Sequence, residues 1–120
     1  MKLFKSFAFA FNGLKTCFAS ETNFKIHVLC TIIVVLFGIG FKISATEWLE
    51  VVFCIAFVIV MEMINTAIEK LCDIVQKNFH PQIKIIKDVA AGAVLIAAIS
   101  SLITGVIIFV PKIIIYIKLL

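Results

Sequence analysis

Residues 89–110, VAAGAVLIAAISSLITGVIIFV, run without a single charged side chain. No other feature constrains the chain as tightly. The hydrocarbon core of a bilayer is about 30 Å thick, which a helix of about 20 residues spans. Lipid offers no partner to backbone N–H and C=O groups, so such a segment crosses as a helix or within a closed barrel. Two further apolar runs cover 24–41 and 48–68. The first has Lys25 and His27 near one end, where they can snorkel to the interface. The second opens on Trp48, which suits a membrane–water boundary. The run 24–41 starts too late for a secretory signal, and no small-residue cleavage site follows it. The chain is 63% hydrophobic, whereas soluble domains are about 45–50% apolar. These observations predict an all-α integral membrane protein with three transmembrane helices, built as a single domain over 1–120. A chain of 120 residues has little core of its own, so self-association is expected.

The segment before Glu21 differs. Phe4, Phe7, Phe11, Leu14 and Phe18 recur every three or four residues, which puts them along one side of a helix. Lys2, Lys5 and Lys15 flank that stripe. This predicts an amphipathic surface helix over about 1–20; a fourth helix buried against the spans is the alternative. The net charge of +4 comes from lysine alone. Those lysines border apolar runs and form no patch, which argues against nucleic acid as a partner and for anionic headgroups. Lys2, Lys5, Lys15 and Lys25 precede or open the first span. Lys70, Lys77, Lys84 and Lys87 follow the second, and only Lys42 lies between them. The positive-inside rule then predicts a cytoplasmic N-terminus and a cytoplasmic 70–88 loop, with Lys112 and Lys118 weighing the other way. Cys17, Cys30, Cys54 and Cys72 have no C-x-x-C spacing, so neither a zinc site nor a redox motif is indicated.

Against this apolar background the stretch MEMINTAIEKLCD, 61–73, is anomalous. At about 100° per residue, Asn65, Glu69 and Asp73 fall near −60°, −20° and +20° from Glu62, a stripe of roughly 80°. A carboxylate at membrane depth costs at least about 2.5 kcal/mol, so such groups face a bundle interior or cavity and mark function. Glu69 and Asp73 are near enough to the loop lysines to be a structural charge network. Glu62 is deeper, with no lysine close in sequence. A proton or ion pathway would also use intramembrane acids. The loop KNFHPQIKIIKDVAAGAVL adds His80, the i,i+4 pair Lys84 and Asp88, and the neighbours Lys87 and Asp88. Carboxylates suit Mg²⁺ and lysines suit phosphate, a combination fit for a nucleotide. No G-x-x-x-x-G-K-[ST] loop is present, so ATP would be held without the usual nucleotide fold. The small residues AAGA, 90–93, and Gly92 among them, would allow close helix packing.

EMINTAIEKLCD, His80, KDVAAGAVL at 87–95 and ETNFKIH at 21–27 together resemble the prokaryotic diacylglycerol kinase family, which includes undecaprenol kinases. The resemblance covers nearly the whole chain. It implies three membrane helices with an N-terminal surface helix, in a homotrimer whose active sites are shared between subunits, in the bacterial cytoplasmic membrane. It implies transfer of phosphate from MgATP to a lipid hydroxyl, on diacylglycerol or undecaprenol. By position, Glu62 would be the general base and Asn65 would help place the reacting groups. Glu21 and Glu69 would hold Mg²⁺. His80, Lys87 and Asp88 would contact ATP, with Asp73 supporting them. The family often carries an N-terminal Arg that contacts substrate or nucleotide. Lys2 or Lys5 stands in its place here, and Lys2 is assigned the role. A small proton- or ion-conducting membrane protein is the alternative function. Asn12, Thr16 and Ser20 are the polar donors near the surface helix that could read an ester-bearing lipid.

Overall fold

The structure, a computed structural model, describes residues 2–120. Four helices follow in order: α1 (Lys2–Ser20), α2 (Thr22–Phe41), α3 (Ala45–Val75) and α4 (Pro81–Leu119). No strand occurs among the described residues. α2, α3 and α4 are each long and apolar enough to cross a membrane, so the all-α architecture with three membrane helices and a separate N-terminal helix stands. α1 leaves Phe4, Phe7, Phe9, Phe11 and Phe18 exposed and buries only Cys17. It touches α2 and α3 lightly. That is the condition of a helix whose apolar face meets lipid, and it disfavours the buried alternative.

Each junction has a local cause. Glu21 has extended backbone, with φ −116° and ψ 113°. Its N–H closes α1 onto Cys17 O at 3.0 Å, and its own carbonyl accepts from Lys25 N–H to open α2. α2 ends at Lys42, which is left-handed at φ 52°. There Ile43 N–H donates to Gly38 O and Lys42 N–H to Ile39 O, each at 3.2 Å, the Schellman pattern of helix termination. A glycine is needed at 38 because a Cβ there would sit 2.6 Å from Trp48 Cη2. Trp48, Phe41 and Phe109 close over the buried cluster Ile43, Val51 and Ile108. α3 then starts in a capping box. Glu47 N–H donates to Ser44 Oγ at 3.2 Å, and Ser44 N–H donates to Glu47 Oε1 at 2.9 Å. Lys112 of α4 reaches the other oxygen, Glu47 Oε2, at 2.7 Å.

The α3–α4 connection is short. Gln76 N–H returns to Cys72 O at 2.9 Å. Pro81 opens α4 at a position where no N–H is needed. His80 caps it, its Nδ1 accepting from Gln82 N–H at 3.1 Å. α3 and α4 are the most closely packed pair. Ala90 and Ala97 are buried, Ala97 completely. Gly92 is not where the helices close, since a Cβ there would meet nothing within 4 Å. The close approach belongs to the alanines. α3 continues past Ile68 to Val75, and α4 runs from Pro81 through Pro111 to Leu119. The hairpin therefore carries Glu69, Asp73, Lys84, Lys87 and Asp88 on ordered helix beyond the apolar runs.

Candidate active site

On α3 the residues Val58, Glu62 and Thr66 are buried at successive intervals of four, the inward row of a helix. Glu62 is only 4% exposed. Its Oε1 lies 3.1 Å from His27 Nε2 of α2. His27 therefore points into the bundle and does not snorkel to the interface, because its row, Phe24, His27, Thr31, Val34 and Gly38, faces α3. Helical spacing of those residues was the available signal for His27; its position at the end of an apolar run concealed it. One turn toward the α3–α4 loop, Asn65 Nδ2 donates to Glu69 Oε1 at 3.2 Å. Asn65 Oδ1 is buried and has no partner. A further turn on, Asp73 Oδ1 accepts from Lys87 Nζ at 2.8 Å, and Lys84 Nζ pairs with Asp88. Lys87 precedes the apolar run of α4, outside the span. The hydrogen bond to Asp73 raises its pKa above the usual lysine value.

The acid stripe thus resolves into three levels. A buried acid paired to a histidine lies deepest. A half-buried Asn–Glu pair follows, Asn65 about 4.5 Å and Glu69 about 10 Å further along the helix by their rise from Glu62. Exposed ion pairs follow at the loop. Glu21 is half-buried at the α1–α2 junction and makes no side-chain cap bond. Lys2 is exposed at the start of α1 and forms no ion pair among the described residues. Among the described residues neither Lys2 nor Glu21 forms an ion pair with the α3 column. His80 is exposed at the α4 cap.

Among the described residues no group of three or more His, Cys, Asp or Glu side chains is gathered for a metal ion. Mg²⁺ does not require one, because it keeps waters and binds through one or two carboxylates plus substrate phosphates. Glu69 offers one such carboxylate, half-buried and with its Oε1 accepting from Asn65 Nδ2. The chemistry of that carboxylate fits the hard cation.

Beside this column a groove of about 590 Å³ opens between α2, α3 and α4. His27 and Val58 line it on the Glu62 side, with Ile55, Leu102, Gly105 and Phe109 beyond. The hydroxyls there are spent on the backbone: Thr31 donates to His27 O, Ser101 to Cys54 O and Thr104 to Ser100 O. Thr16 and Ser20 of α1 do the same, to Asn12 O and Thr16 O.

Three helices able to cross a membrane, carrying acids from a buried level out to a lysine-bearing loop, describe a membrane-embedded protein with a polar site at the interface. The chain belongs to the prokaryotic diacylglycerol kinase family of lipid kinases, whose family model, "Prokaryotic diacylglycerol kinase", matches residues 8–109. It is 37% identical over 111 residues to the undecaprenol kinase of Bacillus subtilis, covering 92% of this chain and 90% of that one. It is 34% identical over 110 residues to a diacylglycerol kinase of Synechocystis, covering 91% of this chain and 63% of that one. To the diacylglycerol kinase of Escherichia coli it is 24% identical over 103 residues, covering 86% and 84%. Nothing in these relationships favours the proton- or ion-conducting alternative.

Proposed function

We propose that the chain transfers the γ-phosphoryl group of ATP, with Mg²⁺, to the primary hydroxyl of a membrane lipid, diacylglycerol or undecaprenol. The observation that carries this reading is the buried Glu62 at the inner end of a polar column that reaches Lys87. In the step proposed, the lipid oxygen bonds to the γ-phosphorus and gives its proton to Glu62. The bond from that phosphorus to the β,γ-bridging oxygen breaks, and ADP departs with the electron pair. Asn65 steadies the groups between these levels. Glu21 and Glu69 would hold Mg²⁺, which when bound neutralises phosphate charge. Lys87, His80, Asp88 and Lys2 would contact the nucleotide, Asp73 holding Lys87 until phosphate replaces it. Phosphoryl transfer asks for alignment and charge neutralisation more than for covalent chemistry. The whole chain acts as one membrane-embedded kinase domain on this reading. By the family resemblance the chain would assemble as a homotrimer, and lipid or a second copy would cover the unburied faces of its spanning helices.

The acceptor range follows from the groove. An ester-bearing lipid is read by free donors, and the hydroxyls of the groove and of α1 are already engaged. Apolar pockets discriminate weakly between chains. Diacylglycerol and undecaprenol, offered at equal concentration in one mixed micelle, should both be phosphorylated. Rejection of either by more than about 10⁴-fold would require a hydrogen-bonding selectivity site and would contradict the assignment.

We also place the N-terminus and the α3–α4 loop in the cytoplasm, with the chain in the bacterial cytoplasmic membrane. Lysine distribution supports this. With the four native cysteines replaced, Ala45→Cys should react with an impermeant thiol reagent in intact cells. Labelling only after permeabilisation would invert the topology.

A further inference from the structure

We infer that His27 is a positioning residue for Glu62, holding one carboxylate oxygen so that the other faces the acceptor hydroxyl. The inference rests on the lipid-kinase reading and adds a residue to it. Glu62 is almost wholly enclosed, and the side-chain partner that reaches it is His27, with Nε2 at 3.1 Å from Oε1. A buried acid without a partner is costly. A carboxylate free to rotate would also present its basic oxygen in many directions. His27 removes both difficulties, and its own place is set by α2. Phe24, one turn before it, is buried at 3% exposure. Thr31, one turn after it, donates to the His27 carbonyl at 2.8 Å. The histidine is the polar tie between α2 and the acid-bearing face of α3.

The surroundings decide which oxygen is available. His27 also lines the groove between α2, α3 and α4, as does Val58, one turn before Glu62 on the same buried row. The groove therefore ends beside the Glu62–His27 pair. With Nε2 lying against Oε1 at 3.1 Å, Oε2 is the oxygen left to receive the proton. In the transfer step the hydroxyl proton moves to Oε2, the lipid oxygen bonds to phosphorus and ADP leaves. His27 exchanges no proton with the substrate; it fixes the orientation of the group that does. Catalytic groups displaced by about 1 Å can lose about 10²-fold in rate, which sets the scale of the effect.

The test compares three substitutions in the full-length protein, in mixed micelles with saturating diacylglycerol and a range of MgATP concentrations. His27→Phe keeps ring volume without a donor. His27→Asn keeps an amide too short to reach. His27→Gln carries an amide N–H at about the reach of Nε2. Phe and Asn should lower kcat by about 10²-fold while KM for ATP stays unchanged. Gln should recover most of that loss. If Phe fails to fold, the Asn and Gln comparison decides. Losses of similar size in Asn and Gln would overturn the inference, as would a Phe or Asn variant at wild-type rate. In a Glu62→Gln background, His27→Asn should cost nothing further in residual rate, since an orienting role disappears with the base; a full additive loss would also overturn it. A wild-type protein that phosphorylates no lipid would instead defeat the kinase reading.

Discussion

Glu62→Gln should abolish lipid phosphorylation and leave MgATP binding intact. The substitution removes the basic oxygen and keeps the volume. The replacement amide occupies the same place beside His27 Nε2, so the buried contact at 3.1 Å has a neutral counterpart and the fold should survive. General-base assistance is worth about 10²–10⁴-fold, and a drop within or beyond that range is expected in kcat. Calorimetric titration should give the wild-type affinity for MgATP, because Glu62 lies about 10 Å along the helix from Glu69. A variant that keeps more than about a tenth of the wild-type rate, a loss smaller than the usual contribution of a general base, would remove Glu62 from the base role.

Glu69→Gln should fail in the opposite way. Its Oε1 accepts from Asn65, a bond that Gln can preserve, so the loss is of charge and not of local structure. Removing one charge-assisted ligand contact costs about 1.5–3 kcal/mol, or roughly ten- to a hundredfold in the affinity for MgATP. More Mg²⁺ should also be needed to reach half-maximal rate. Equal MgATP affinity in wild type and variant would take Glu69 out of the metal site. The two variants thus separate proton transfer from nucleotide capture on one helix.

How much of this was legible in the sequence depends on the residue. The helices were legible because lipid leaves little choice of structure to an apolar run such as 89–110. The shared face of Glu62, Asn65 and Glu69 was legible because periodicity is a local property. His27 was not legible as a site residue, since what identifies it is the packing of α2 on α3. The division of the stripe into separate polar pairs was hidden for the same reason: Asp73 finds Lys87 across the α3–α4 turn, and spacing along one helix says nothing of that partner. Gly92 looked like a packing contact by composition, yet Ala90 and Ala97 hold the interface, because which side of α4 meets α3 is decided in three dimensions. The spent hydroxyls of Thr16 and Ser20 could have been anticipated, since Ser and Thr inside a helix readily bond to the carbonyl four residues earlier.

The central claim is that phosphate leaves ATP for a lipid hydroxyl. Phosphorus NMR on the purified protein in micelles, with ATP, Mg²⁺ and a single acceptor lipid, follows every phosphorus species at once. ADP and a lipid phosphomonoester should grow together in equal amounts, with both signals absent when Mg²⁺ is chelated. ADP accompanied only by inorganic phosphate, or ATP left unconsumed, would contradict the account.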